Sequence, residues 1–212
     1  AHGYNVRTFC ACPNGVVTRE TYDHFNLVNG ASDSRSMSPN TNFALLVSVP
    51  LERVNSNEYG GAIARLFRRT GTDRPVLQQY GDIKAGRRSK EAKMYEWRIQ
   101  PTLKDVHVGS VGWAMPYDIQ SIIIQGTERL SVPGLLEGLN QASTLFYAPE
   151  LKNNGLDVTT DDHMRTNVPQ IRVAGDAAGK SRSINGAAAS GILAADGILK
   201  DIHYDGVHEV PF

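Results

Sequence analysis

The stretch that decides the fold reads TNVPQIRVAGDAAG from Thr166 to Gly179, and NGAAASGILAADGI follows it from Asn185 to Ile198. The apolar run IRVAG predicts a buried parallel strand, and the run rich in Ala and Leu predicts a helix. A strand that leads through Gly-Asp into a helix presents unpaired N–H groups and a partial positive charge at the helix N-terminus. Such a terminus can hold a phosphate or an electron-rich ring edge.

Gly175 and Asp176 are the residues of this turn that could bind a ligand. Glycine lets the backbone approach a ligand closely, and the carboxylate can accept hydrogen bonds from ribityl or ribose hydroxyls. The alternative is structural: Asp176 caps the helix, and the glycines only form the turn. The residues by themselves leave both interpretations open.

The composition bounds the kind of protein. Of 212 residues, 22 are basic and 22 are acidic, and 41% are hydrophobic. This composition is globular, and the length fits one large or two small domains. The charge balance does not support a nucleic-acid or membrane partner, and the apolar runs are far shorter than the roughly 20 residues that cross a bilayer. We therefore expect a cytoplasmic protein that acts on a small molecule, and its start at Ala rather than Met suggests a fragment or a processed product.

The order of segments predicts a mixed α/β (α+β) fold. Short β-branched runs separated by Pro, Gly, Asn and Ser predict that the first fifty residues are rich in strands. The spacing of apolar residues predicts helices near 56–70 and 116–130, the second with Pro at its first position. We expect a β-rich domain with these helices over residues 1–160, and the strand-loop-helix segment over 161–212.

The polar stretch 29–42 predicts a loop that is longer than the usual connection. Asn29, Arg35 and Asn40 are its candidates for contact with a substrate, since the arginine fork can hold an anion and Asn29 can bond a carbonyl. The alternative is a solvated loop whose polar groups are satisfied by its own Asx turns.

A family resemblance rests on several separate motifs. The C-terminal stretch resembles the last flavin-binding motif of FAD-dependent oxidoreductases of the glutathione-reductase-like superfamily. Four further segments, in the same order, resemble a family of poorly characterised FAD-dependent dehydrogenases. They are FCACPNGVV (9–17), NGASDSRSMSPNTNFALLVSV (29–49), PTLKDVHVGSVGWAMPYDI (101–119) and TLFYAPELK (144–152).

The resemblance implies a function and a cofactor. Residues 1–160 would be an inserted, substrate-side domain, and residues 161–212 the last segment of a three-layer FAD-binding domain. FAD would be the cofactor and NAD(P)H a candidate electron donor for a hydride-transferring dehydrogenase. In the family, the Asp of the Gly-Asp pair bonds the ribityl chain or lies beside the pyrophosphate, and the next helix points its N-terminus at the flavin ring. The implied cofactor-binding residues are Gly175, Asp176, Ala177, Gly179, Ser181, Arg182, Ile184, Asn185 and Ala187.

The sequence departs from the family at two places. Ser183 stands where the family usually has Gly, so the loop should tolerate a positive φ less well. The G-x-G-x-x-G fingerprint that holds the FAD pyrophosphate does not occur in the sequence. The resemblance therefore implies that an N-terminal FAD-binding half is missing, and that the chain alone binds FAD weakly or not at all and is inactive. The alternative is a folding or self-association module without flavin, for which a homodimer is expected through an exposed apolar patch.

Cys10 and Cys12 form a Cys-x-Cys pair. We expect no structural disulfide, because ring strain disfavours closure and two cysteines are too few for a disulfide scaffold. A metal site would need two more ligands that the chain does not offer at metal-binding spacing, so no metal is expected. Packing and a catalytic thiol that faces substrate or flavin remain the two main alternatives.

Overall fold

The computed structural model describes residues 5–35, 37–51, 54–152, 157–181 and 183–204. The chain divides into two compact units, unit 1 over residues 1–152 and unit 2 over residues 153–212. The described residues combine small sheets with helices, which confirms the mixed α+β class. None of the described helices is long and apolar enough to cross a membrane.

Unit 1 contains the strands and three of the helices. Its strands are β1 (Asn5–Cys12), β2 (Val16–Tyr22), β3 (Phe25–Ala31), β4 (Asn42–Ser48), β5 (Val76–Gln79), β6 (His107–Val108) and β7 (Leu145–Ala148). Its helices are α1 (Ser56–Thr70), α2 (Tyr80–Lys84) and α3 (Tyr117–Leu130), and α4 (Ile184–Tyr204) belongs to unit 2. The runs whose spacing predicts helices near 56–70 and 116–130 form α1 and α3.

The strands form three small sheets. β1 pairs with β4 and β2 pairs with β3, both antiparallel. β5 lies between β6, to which it is parallel, and β7, to which it is antiparallel. The segment that follows β7 also reaches β3, because the Val28 N–H donates to the Pro149 carbonyl at 2.9 Å. Residues 145–149 therefore connect two of the sheets.

α1 has clear sequence reasons to begin and end where it does. The Asn55 side chain accepts hydrogen bonds from the N–H groups of Asn57 and Glu58, which satisfies two of the unpaired donors of the first turn. Gly71 ends the helix, and its N–H donates to the Phe67 carbonyl at 2.7 Å. The helix buries Ala64 and Phe67 and keeps its arginines outside.

The core of unit 1 lies around β5. Val76 and Leu77 are almost fully inaccessible and face two separate apolar clusters. The first cluster contains Phe67, Val76, Ile83, Val111, Ala114 and Ala148. The second contains Leu77, Trp97, Val106 and Val108. The next residue of β5, Gln78, is also buried. Its side-chain amide donates to the Arg87 carbonyl, and its side-chain oxygen accepts from the Val111 N–H.

A polar network joins α2, α3 and the loop after α3 through one carboxylate. Glu128 accepts hydrogen bonds from the Tyr80 hydroxyl at 2.8 Å, from Lys84 Nζ at 2.7 Å and from Asn140 Nδ2 at 2.8 Å. These bonds, with Lys84 first among them, lower the pKa of Glu128 to about 2. Burial, together with the bond to Glu128, raises the pKa of Tyr80.

Two sequence expectations about elements are wrong. The run IRVAG forms only an isolated antiparallel bridge between Arg165 and Arg172, and Ile171 is 48% exposed. A buried strand needs neighbours that pair its N–H and C=O groups, and the described part of unit 2 provides only this bridge. The loop predicted over 29–42 is shorter, because residues 29–31 pair in register with β2 and belong to β3.

Candidate functional site

The turn before α4 is the part of unit 2 that the sequence singles out. Gly175 has φ +85° and Gly179 has φ +75°, both in the region that favours glycine. No heavy atom lies within 4 Å of the point where a Cβ of residue 175 would stand, so the turn is open on that side. The Ser190 hydroxyl accepts from the Gly175 N–H and donates to the Ala187 carbonyl, both at 2.8 Å. α4 thereby fixes the position of the turn.

Ser183, and not Asp176, caps α4. Its hydroxyl accepts from the Gly186 N–H at 3.0 Å, and its carbonyl accepts from the Ala187 N–H at 2.9 Å. The structural alternative for Asp176 as the helix cap is therefore wrong. Asp176 is the first residue of a short 3-10 turn and is exposed.

The other predicted cofactor residues lie around the start of α4. Ser181 donates to the Ser183 carbonyl at 3.2 Å. Ile184 is 90% exposed at the first position of α4, Asn185 is exposed and Ala187 is half-buried. Ala177 lies within the 3-10 turn, and Arg182 lies outside the described residues.

Charged groups hold the segment 161–173 against one face of α4. Arg172, whose side chain is 10% exposed, bonds Asp201 at 2.8 Å and the Gly197 carbonyl at 3.1 Å. A Cβ at Gly197 would stand 2.7 Å from the Cβ of His163, so the close approach requires glycine. Arg165 forms a second ion pair with Asp201.

The motif residues of unit 1 converge although they lie far apart in the sequence. Cys12 on β1 pairs with Asn42 on β4. Gly30 on β3 lies against both side chains, since a Cβ there would stand 2.4 Å from Asn42 Oδ1 and 3.2 Å from Cys12 Sγ. Gly15 lies against Cys12, since a Cβ there would stand 2.6 Å from the Cys12 Cβ. The Ser38 hydroxyl donates to the Gly15 carbonyl at 2.5 Å. We call these five residues the motif cluster.

The two cysteines differ in environment because β1 carries a bulge between Phe9 and Cys12. Cys10 has φ +47° and is exposed, whereas Cys12 is buried in the motif cluster. Both thiols are free, and Cys12 Sγ donates weakly to the Cys10 carbonyl at 3.4 Å. Among the described residues, no group of His, Cys, Asp and Glu side chains has the arrangement of a metal site.

The predicted substrate-side residues each bond a different partner. Asn29 donates to Glu20 Oε1 at 2.7 Å, and Asn40 donates to the Gln100 carbonyl at 2.9 Å. Arg35 pairs with Asp33 in an Asx turn, and 88% of its side chain is exposed. Its role in anion binding stays a prediction, and its geometry is that of a solvated loop.

Sequence reasoning missed Glu150, which follows β7. Its Oε1 is buried and has no hydrogen-bond partner among the described residues. Burial raises the pKa of its carboxyl, Lys152 opposes this rise, and Glu20 adds to it. Asn42 Nδ2, in the motif cluster, is likewise buried without a partner. The sequence offers no local signal for Glu150, because the burial of its carboxylate is a tertiary feature.

A comparison with protein-family models assigns the chain to a class. The model of the family described as FAD-dependent protein, C-terminal domain-like matches residues 1–150. This is well over half of the chain, and the chain belongs to that family. The match covers the motif cluster and ends two residues before the end of unit 1. No curated protein matches the chain.

Proposed function

We propose that the chain is a part of an FAD-dependent oxidoreductase that acts as a dehydrogenase on a small molecule. The observation that carries the proposal is the family match over residues 1–150. Unit 1 would form the substrate side, and unit 2 would contribute contacts to the flavin. The proposed electron donor is NAD(P)H.

The turn before α4 is compatible with the ribityl chain or the pyrophosphate of FAD. Gly175 leaves open space beside the backbone, and the exposed Asp176 carboxylate can accept hydrogen bonds from ribityl hydroxyls. Ser190 holds the Gly175 N–H, so the turn is positioned before a ligand arrives. α4 begins at Ile184, five residues after Gly179, and its N-terminal dipole would favour negative charge near its first turn.

When bound, FAD would supply the redox chemistry, and the chain's own residues would bind and orient it. Asp176 would fix the ribityl hydroxyls, and Ile184 and Asn185 would lie near the ring edge. The sequence contains no G-x-G-x-x-G fingerprint, so we propose that a separate dinucleotide-binding segment supplies the main pyrophosphate contacts. The chain alone would then bind FAD weakly and be inactive.

The proposal is tested by titrating FAD with the purified chain and following FAD anisotropy and absorbance. The titration is repeated in the presence of a dinucleotide-binding segment from a member of the same family. We expect weak binding alone and tight binding with the added segment. Asp176→Ala should weaken the second titration, whereas Asp162→Ala, an exposed carboxylate of the same unit, should leave it unchanged. Failure of FAD to bind in either titration, or equal loss in both variants, contradicts the proposal.

A second candidate function is self-association without flavin. Four isoleucines of α4 recur at helical spacing and are exposed: Ile184, Ile192, Ile198 and Ile202. An exposed apolar stripe of this kind favours association. Light scattering on the same samples separates the two functions, because a stable homodimer that ignores FAD would support the second one.

A further inference from the structure

Unit 1 contains an open cleft that none of the predicted site residues lines. Its volume is about 400 Å³, within the range of small-molecule sites. The lining residues are His24, Arg65, Arg68, Arg69, Thr72 and Asp73. The arginines come from α1, Thr72 and Asp73 from the turn after it, and His24 from the turn between β2 and β3.

The cleft has a surplus of positive charge. Arg65, Arg68 and Arg69 are spaced i, i+3 and i+4, so they share one face of α1. Among the lining residues that the structure describes, Asp73 is the only carboxylate, and it forms an ion pair with Arg68. Within the described residues, neither Arg65 nor Arg69 forms an ion pair or a side-chain hydrogen bond. Two guanidinium forks therefore remain available to a ligand.

The end of α1 explains only part of this charge. Basic residues in a last helical turn offset the partial negative charge of the helix C-terminus, which accounts for Arg68 and Arg69. Arg65 lies one turn earlier, and His24 belongs to another element. Four cationic or donor side chains thus converge from two elements, which the helix dipole does not require.

The turn after α1, which contributes Thr72 and Asp73 to the cleft, is built rigidly. Thr72 and Asp73 both have positive φ, at +52° and +64°, which is costly for residues other than glycine. The turn is held by the Asp73 N–H, which donates to the Arg68 carbonyl at 2.9 Å, and by Asn26 Nδ2, which donates to the Asp73 carbonyl at 2.5 Å. The second bond ties the β2–β3 hairpin to the turn. Strained backbone that its surroundings maintain is characteristic of functional sites.

We propose that this cleft binds the phosphate or diphosphate group of a nucleotide-sized ligand through Arg65 and Arg69. Guanidinium groups match phosphate oxygens in bidentate geometry. Arg68 is held by its ion pair with Asp73, and His24 adds a donor from the turn between β2 and β3. The inference does not depend on flavin binding, because the cleft lies in unit 1 and contains none of the proposed FAD contacts.

The test is isothermal titration of the full chain, without FAD and at low salt, with three probes: inorganic pyrophosphate, ADP and NADP⁺. We expect saturable binding of at least one probe that weakens as salt is added. Binding of pyrophosphate alone identifies a simple phosphate site, whereas tighter binding of ADP or NADP⁺ identifies a nucleotide site. Binding of none of the three probes overturns the proposal.

Variants assign the binding to the cleft. Arg65→Gln and Arg69→Gln should each weaken the best probe by about tenfold or more, while Arg88→Gln, an exposed arginine of the same unit, should have no effect. Asp73→Asn releases Arg68 and should strengthen binding, which no purely structural role of these residues predicts. Thermal unfolding without ligand checks that each variant is folded. Equal loss in Arg88→Gln, or weaker binding in a folded Asp73→Asn, contradicts the assignment.

Discussion

At the scale of single residues, the bulge in β1 decides the chemistry of the two cysteines. In a regular strand, residues i and i+2 share one face, so Cys10 and Cys12 would lie side by side. The extra residue of the bulge instead leaves Cys10 exposed and Cys12 buried. Any thiol-dependent role of this chain would therefore start at Cys10.

We predict that a brief treatment of the native chain with iodoacetamide modifies one thiol. Cys10 should react because it is exposed, and Cys12 should be protected because it is buried beside Gly30 and Asn42. Intact-mass analysis should show a single adduct in the native chain and two in urea. Cys10→Ser should abolish the native adduct and Cys12→Ser should retain it. Rapid double labelling of the native chain would contradict the described burial of Cys12.

Residue roles that depend on neighbours could not be predicted from the sequence. The cap of α1 is Asn55, and the backbone angles of this residue, rather than its type alone, decide that the helix begins after it. The Ser183 hydroxyl caps α4 by accepting from the Gly186 N–H, a role that depends on where the helix begins. Glu150 gave no local signal, because its burial arises from residues remote in sequence.

At the scale of elements, Glu128 links α2 and α3 by accepting bonds from Tyr80, Lys84 and Asn140. Since the pKa of its carboxyl in the folded state, about 2, lies below the value of about 4.3 for an unperturbed Glu, the folded state favours the ionised form. The resulting stability is fully present above the unfolded-state pKa. It is lost as the pH falls from there toward 2.

We predict that Glu128→Gln lowers the stability of unit 1 at pH 7 and that the difference from the parent disappears near pH 2. Urea unfolding followed by tryptophan fluorescence at pH 7, 4.5 and 2.5 measures this, because Trp97 and Trp113 both belong to unit 1. Glu137→Gln, at an exposed position in the loop after α3, serves as the control. A difference between parent and Glu128→Gln that is constant over this pH range would exclude a role of the Glu128 charge.

The predictions that the structure confirms rest on local signals alone, whereas the buried strand predicted from IRVAG also needs pairing partners elsewhere in the chain. α1, α3 and α4 follow from apolar spacing, and the strands of the first fifty residues follow from short β-branched runs. IRVAG has the composition of a buried strand but lacks the pairing partners in unit 2 that such a strand needs. For the candidate site, the motif residues were identified, whereas the basic cleft arises from the approach of α1 to the β2–β3 hairpin.

At the scale of the whole molecule, the chain consists of two units with separate internal contacts. The described part of unit 2 is held together largely by polar groups, above all by Arg172 with Asp201 and Gly197. Unit 1 has apolar clusters on both sides of β5. The two units therefore depend on different forces.

We predict that Arg172→Ala lowers the unfolding midpoint of α4 and leaves the midpoint reported by tryptophan fluorescence unchanged. The reason is that the substitution leaves the Asp201 carboxylate and the Gly197 carbonyl without this partner, while both tryptophans belong to unit 1. Hydrogen exchange of the α4 amides reports the first change, and Asp162→Ala is the matched control. A parallel shift of the tryptophan transition would show that the units unfold as one.

The position of β7 has a consequence for the newly made chain on the ribosome. About 70 further residues must be synthesised after β5 before its antiparallel partner β7 is complete. The Val28 N–H is separated from its acceptor, the Pro149 carbonyl, by an even longer stretch of chain. The β2–β3 hairpin can close as soon as it is synthesised, but the β5 edge stays open until residues 145–149 emerge. During that interval an apolar strand with an unpaired edge is exposed to other nascent chains. We therefore expect the nascent chain to be most prone to aggregation between the synthesis of β5 and the synthesis of residues 145–149.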